Sequence, residues 1–225
     1  MVILPARNEG PRVASVVRGI RRVLPDVDVV VVVNDSRDDT AARAKEAGAV
    51  VLFSGPGYAR ALRIGFLYAL ERRAEWVVTM DADGQHPPRA LPQLVAALAD
   101  ADLVVGSRFV GSAGYAVPAA RRLAIGALGA WASMCAGQRL RDVTSGLRAM
   151  RPDVIRAFAA DYPVDVADAN VLVRAVRAGW RVREVSVPMR ERVGGRSMHD
   201  TPRSALFALR MAVYTAAEAT TGGRA

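Results

Sequence analysis

The chain has 225 residues, 52% of them hydrophobic and 24% charged, with 31 basic against 22 acidic side chains and a formal net charge of +9. That length and apolar content suit one globular domain with its own core and exclude a disordered chain, a collagen-like repeat and a disulfide scaffold. One cysteine, Cys135, and two histidines, His86 and His199, permit neither an internal disulfide nor an ordinary structural zinc site, so any metal here must be held by oxygen.

In chain order, short apolar runs alternate with helical patterns, the signature of βαβ units on a mainly parallel sheet. Strands are predicted at Val2–Leu4, Val27–Val33, Ala49–Phe53, Trp76–Met80 and Leu103–Val105, the second carrying an unbroken valine run as expected of a strand covered on both faces. Helices are predicted between them at Pro11–Val23, Asp39–Ala47, Tyr58–Arg72 and Pro88–Leu98. Beyond Gly106 the pattern loosens to helices over Pro118–Ala136, Pro152–Ala159 and Ala167–Ala178, a strand at Val182–Val187 and a last helix from Pro202. No repeat or low-complexity linker interrupts the chain, which reads as one α/β domain with a nucleotide-binding half, 1–106, and an acceptor half, 107–225.

Met1 leads directly into Val2-Ile3-Leu4 and then into charged residues, with no signal-peptide pattern, so a cytoplasmic protein is expected. The longest low-charge stretch, Leu123 to Gln138, falls short of the roughly 20 residues of a spanning helix. Between Arg121-Arg122 and Arg139 with Arg141, it reads either as a buried core helix or as one resting on the anionic inner face of a membrane. Lys45 is the one lysine, and arginine forks suit phosphate better than ammonium groups do. The charge does not by itself indicate nucleic acid, because aromatic interleaving and a recognised binding module are missing.

Ligands of open α/β sheets bind beyond the carboxyl ends of the strands, where three polar clusters fall. The sharpest is Asp81-Ala82-Asp83-Gly84-Gln85-His86-Pro87-Pro88, in which closely spaced carboxylates and an amide offer hard oxygen ligands to Mg²⁺ or Mn²⁺ and, through it, to a diphosphate. Asp ahead of Pro-Pro also starts helices, so a capping turn is the alternative. After the second strand, Asn34 and Asp35 are assigned to the nucleotide, and Asp38 and Thr40 to local capping. Downstream, Gly106-Ser107-Arg108, Arg141 to Arg148 and Arg192 to Ser197 set arginine beside glycine and serine, a pattern that fits anion recognition.

Taken in order, the segments Ile3–Glu9, Val33–Thr40, Met80–Pro88, Gly106–Arg108, Thr144–Arg148, Glu184–Pro188 and Arg192–Ser197 resemble a family 2 glycosyltransferase of GT-A fold, nearest to the polyprenyl-phosphate mannose synthase branch. The resemblance covers nearly the whole chain and implies that Pro5, Arg7, Glu9 and Asp35 surround the nucleoside. It further implies that Asp81, Asp83 and Gln85 bind metal and diphosphate, and that Arg192 and Ser197 close over them. Ser145 would touch both the nucleotide-sugar and the acceptor, whose phosphate Arg141 would hold with Arg121 or Arg122. The chain departs from the family at Asn34-Asp35-Ser36, where Asp-Asp-Gly-Ser is usual. It departs again at Asn170, where the family has Glu and Asp168 lies close by, and at Met198, where a Lys is common.

The expected reaction moves a hexose, with inversion, from a GDP- or UDP-sugar to a polyprenyl phosphate. Asp83, Arg141 and Asp168 are the catalytic candidates. A phosphate acceptor, with a second pKa of about 6, is largely anionic at neutral pH and needs no strong base. A small soluble hydroxyl acceptor would need one, and Asp168 is then the candidate. A sugar nucleotidyltransferase would carry a Gly-rich basic loop after the first strand, where this chain has Pro5-Ala6-Arg7-Asn8-Glu9.

Overall fold

The computed structural model describes residues 1–111, 119–163, 167–189 and 203–221. Its elements run β1 (Val2–Ala6), α1 (Gly10–Val23), β2 (Val29–Asn34), α2 (Thr40–Glu46), β3 (Val50–Ser54), α3 (Tyr58–Glu71), β4 (Val77–Thr79), α4 (Leu91–Ala96), β5 (Leu103–Ser107), α5 (Ala119–Ala136), β6 (Arg148–Met150), α6 (Pro152–Ala160), α7 (Ala169–Arg177), β7 (Val182–Ser186) and α8 (Arg203–Thr221). The strands form one sheet in the order β3-β2-β1-β4-β6-β5-β7, with only β6 antiparallel to its neighbours. This is the doubly wound α/β architecture expected, in a single domain.

The two-residue period of a strand divides the core. Val2, Leu4, Val29, Val31 and Val33 face α1, α2 and α4, while Ile3, Val30 and Val32 face α3. Both faces are covered, so all five valines of Val29–Val33 are buried. Val13, Val16, Val17 and Ile20 give α1 its apolar stripe, and Arg21 and Arg22 in its last turn complement the helix dipole. Inside α3, Gly65 is there for contact: a Cβ at that position would stand 2.5 Å from Ile3 Cγ2, so the missing side chain lets helix and sheet touch. Phe66, Phe158, Tyr162 and Trp180 fill the space between α3 and α6 with tilted and edge-on ring pairs.

Two elements differ from the sequence expectation. The helix over Pro88–Leu98 is divided into 3-10 turns at Pro88–Ala90 and Ala97–Ala99 around α4. Pro92 lacks the amide proton that would make the first α-type bond, onto the Pro88 carbonyl, which accounts for the break at the start. β6 had no signal, since Arg-Ala-Met is three residues long and opens with a charge.

The stretch Leu123–Gln138 has one buried and one exposed side. α5 buries Ile125, Ala132 and Ala136, while Leu123 and Met134 are 77% and 68% exposed. The Trp131 indole N–H donates to the Ala212 carbonyl at 3.1 Å, joining α5 to α8, where Val213 and Tyr214 are also exposed. From Leu123 to Gly137 the exposed side of α5 carries no charge, and exposed Arg122 and Arg139 bracket it. No helix among the described residues is long and apolar enough to cross a membrane.

Candidate active site

The loops after β1 and β2 are built against each other. Asn8 and Asp35 both take left-handed backbone, at φ 55° and 49°, which asparagine and aspartate tolerate better than other side chains. The second loop caps the first helix: Glu9 N–H donates to Thr40 Oγ1 at 2.9 Å and Gly10 N–H to Asp38 Oδ2 at 2.9 Å. Asn8 N–H donates to Ser36 Oγ, and Asn8 Oδ1 accepts from Arg37 N–H. Asp38 and Thr40 are thus capping residues as expected: Asp38 serves α2 through Thr40 N–H and also α1, whereas the Thr40 hydroxyl serves α1.

Of the residues expected around the nucleoside, Arg7 and Asp35 are exposed and pair across the two loops at 3.3 Å. Glu9 is nearly buried and pairs with Arg12 at 2.7 Å. Pro5 lies within β1, in register with Val32. Asn34 is buried, and its Oδ1 accepts from Gly57 N–H at 3.1 Å, tying β2 to the start of α3.

The carboxyl end of β4 carries Asp81, 35% exposed at its side chain, and the nearly buried Asp83 and His86. Tyr58 hydroxyl donates to Asp81 Oδ1 at 3.1 Å. Burial first, and the Asp81 carboxylate second, push the Tyr58 hydroxyl well above its usual range, so it remains a donor at working pH. His86 Nδ1 accepts the Asp81 backbone N–H at 3.3 Å, a bond that assigns the ring proton to Nε2. That Nδ1 lies 3.8 Å from Asp81 Oδ2 without a proton to give it, so no hydrogen bond joins them. Asp83 Oδ1 accepts from Gln85 N–H at 3.0 Å across a turn in which Gly84 has φ 80°. That bond is a local turn and caps no helix: the helical turn that follows begins at Pro88 with no side-chain cap.

Whether a divalent cation suits this place follows from the donors. Asp81 and Asp83 are hard oxygen ligands two residues apart, and among the described residues no group of three His, Cys, Asp or Glu gathers to hold a metal. The set fits a cation that shares its shell with phosphate oxygens and water, as Mg²⁺ does, and does not fit an all-protein cage.

Beside β4, Thr79 hydroxyl donates to the Gly146 carbonyl at 2.8 Å, bringing the loop before β6 against β4. Ser145, expected to touch donor and acceptor, is buried, with its hydroxyl donating to the Gly106 carbonyl at 2.6 Å and accepting from Leu147 N–H. Its side chain thus braces β5 against that loop. Arg108, read as part of an anion-binding set, instead makes a two-pronged pair with fully buried Asp142 at 2.6 and 2.8 Å and also donates to Thr144. Glu184 accepts the N–H groups of Arg141 and Asp142, so β7 fixes the backbone from which the exposed Arg141 side chain extends.

Asp168 stands at the start of α7. Burial raises its carboxyl to about 6, Arg148 opposes the rise and Asp81 adds to it, which places Asp168 within electrostatic reach of the metal-binding candidates. Arg148, nearly buried, donates to the carbonyls of Ser145 at 2.9 Å and of Asp168 at 3.1 Å. Asn170 is fully buried and its Oδ1 accepts from Asp168 N–H, so the amide orients the segment that carries Asp168. Arg122 is exposed, whereas the Arg121 side chain, Arg192 and Ser197 lie outside the described residues. Sequence reasoning missed Tyr58, and it read Asp142 and Arg148 within an anion-recognition set, 141–148, where the structure shows an internal network.

The model of the family described as Glycosyl transferase family 2 matches residues 1–162. The chain belongs to that family. This glycosyltransferase is 34% identical over 211 residues to an undecaprenyl-phosphate mannosyltransferase of Micrococcus luteus, a match covering 88% of this chain and 86% of the relative. It is 31% identical over 205 residues to a polyprenol monophosphomannose synthase of Mycolicibacterium smegmatis, covering 85% and 77%. In fold it resembles glucosyl-3-phosphoglycerate synthase of Mycobacterium tuberculosis, solved with Mn²⁺, uridine diphosphate and phosphoglyceric acid, at a TM-score of 0.68 and 22% identity over 96% of this chain and 77% of that one. The GT-A fold and a hexosyltransferase activity follow for the family 2 enzyme described here.

Proposed function

We propose that this glycosyltransferase moves a hexose from a nucleotide diphosphate-sugar to a polyprenyl phosphate, with inversion and with help from Mg²⁺ or Mn²⁺. The observation that carries the reading is the 34% identity, over most of both chains, to a transferase whose acceptor is undecaprenyl phosphate. The donor would enter beyond β1 and β2, with Arg7 and Asp35 at the nucleoside and Pro5, Glu9 and Asn34 shaping the loops behind them. Asp81, Asp83 and Gln85 would hold the cation, which supplies positive charge against the departing diphosphate. Arg192 and Ser197 are proposed to cover that diphosphate.

The acceptor would approach from the other side, where Arg141 extends from a backbone pinned by Glu184. A phosphate monoester brings its own negative oxygen, so the protein's task is to hold and orient it rather than to remove a proton. Arg141, with Arg121 or Arg122, would do the holding, as an arginine fork fits phosphate oxygens. The uncharged exposed side of α5, bracketed by Arg122 and Arg139, supports contact with an anionic lipid surface from which such an acceptor is reached.

A second reading has one observation in its favour. The Asp168 carboxyl, raised to about 6 within electrostatic reach of Asp81, has the properties of a general base for a soluble hydroxyl acceptor. The deciding experiment incubates purified protein with GDP- and UDP-hexoses, Mg²⁺ or Mn²⁺, and a short polyprenyl phosphate, beside an Asp83→Ala control. Metal-dependent transfer to the lipid phosphate that is lost in the variant is the expected result. Donor turnover that ignores the lipid would move the acceptor to a soluble molecule, and no turnover of any donor would refute the reading.

A further inference from the structure

The first carboxylate of the Asp81-x-Asp83 pair is not held by its own loop. Its Oδ1 accepts the hydroxyl of Tyr58, which comes from the first residue of α3, and its Oδ2 accepts no hydrogen bond among the described residues. The contact depends on an absence. A Cβ on Gly146 would lie 2.8 Å from Tyr58 Oη and 2.9 and 3.0 Å from the two Asp81 oxygens, so this glycine is the seat on which the pair meets. Gly146 does not have the positive φ that would itself require glycine, so what a methyl would disturb is the contact. Tyr58 is also tied to the nucleotide side, because Gly57, the residue before it, donates its N–H to Asn34 Oδ1.

We infer that Tyr58 is a positioning residue for the divalent cation: by binding Oδ1 it fixes the Asp81 carboxylate in one orientation and leaves Oδ2 as the oxygen offered to the metal. The inference deepens, and rests on, the cation reading of Asp81 and Asp83. Hydrogen-bonded partners behind a ligating carboxylate commonly change metal affinity by about 10–100-fold. The neutral Asn34 links the loop beside the nucleoside to the same helix start, so nucleotide-side and metal-side residues share one backbone turn.

The test uses the full-length protein and Mn²⁺ as the probe, measuring free Mn²⁺ by electron paramagnetic resonance with GDP or UDP present. Tyr58→Phe, which keeps the ring and removes the hydroxyl, is expected to raise the Mn²⁺ dissociation constant about tenfold and to shift the Mn²⁺ dependence of transfer by a similar factor. Turnover is expected to recover at saturating Mn²⁺, a recovery that damaged packing would not give. Gly146→Ala, reaching the same pair from below, is expected to weaken Mn²⁺ in the same direction. Wild-type Mn²⁺ affinity in Tyr58→Phe overturns the inference, as does a loss of turnover that saturating Mn²⁺ does not restore. A wild-type protein that binds no Mn²⁺ with either nucleotide refutes the cation reading itself and the inference with it.

Discussion

The loops after β1 and β2 and the segments around β6 are fastened by different physics. After β1 and β2, the chain is held by hydrogen bonds from backbone N–H groups to short side chains: Asn8 to Ser36, Glu9 to Thr40, Gly10 to Asp38. Around β6, it is held by buried charge, Arg108 against Asp142 and Arg148 against two carbonyls, with the half-buried Glu184 accepting two N–H groups beside them. Caps of the first kind contribute about 1 kcal/mol each and fail singly. A buried pair of the second kind is costly to break because the surviving partner is left charged and desolvated.

The sharpest way to break that comparison is Asp142→Ala. It strands the Arg108 guanidinium, which is 11% exposed, and is expected to cost about 3–5 kcal/mol in denaturant unfolding. A cost as small as that of a cap would erase the distinction.

Next comes Asp168→Asn, read through pH. With a carboxyl raised to about 6 in the fold from its ordinary value of 3.8, the wild type carries a stabilising contribution that is complete below the ordinary value and is lost as pH rises through about 6. The variant is therefore expected to melt higher than wild type at about pH 8 and to lose that advantage at about pH 4. In catalysis, the rate of transfer to a polyprenyl phosphate is expected to rise through about pH 6 in both proteins, because the acceptor's own second ionisation lies there. Disappearance of that limb in the variant, with a loss of about 100-fold or more, would assign Asp168 as a general base in the transfer.

Of intermediate size is the effect of Leu123→Glu with Met134→Glu on α5. Removing two exposed apolar side chains and adding negative charge is expected to lower binding to phosphatidylglycerol vesicles by about tenfold or more in a sedimentation assay, while leaving the unfolding free energy within about 0.5 kcal/mol of wild type. Asp38→Ala closes the series. It frees the Gly10 N–H and is expected to cost about 1 kcal/mol in denaturant unfolding, with little change in turnover at saturating donor.

What could be read in the sequence divides along the same line. Strands and helices of the first hundred residues announce themselves, because a strand covered on both faces is a run such as Val29–Val33 and an amphipathic helix repeats every three or four residues, as in Val13, Val16, Val17 and Ile20. Asp81 and Asp83 stood out because their spacing and their place after an apolar run are both local. The roles of Tyr58, Arg148 and Asp142 did not, since each residue acts on a partner far along the chain: Asp81 for the first, Asp168 for the second, Arg108 for the third. Ser145 shows the converse. Its motif is local and conspicuous, yet its hydroxyl is spent on the Gly106 carbonyl, a partner that only the sheet order brings near.

The position of β6 has a consequence for how the protein is made. β4 pairs with β1 on one edge and with β6 on the other, and β5 pairs only with β6 and β7. During synthesis, then, β4 waits with one open edge and β5 with two, until Arg148–Met150 has been translated and inserted. Open edges invite pairing with other chains. This three-residue strand thus separates a nascent chain with sticky edges from one that has closed its centre, and a ribosome that stalls after β5 but before Arg148 would release a fragment disposed to aggregate.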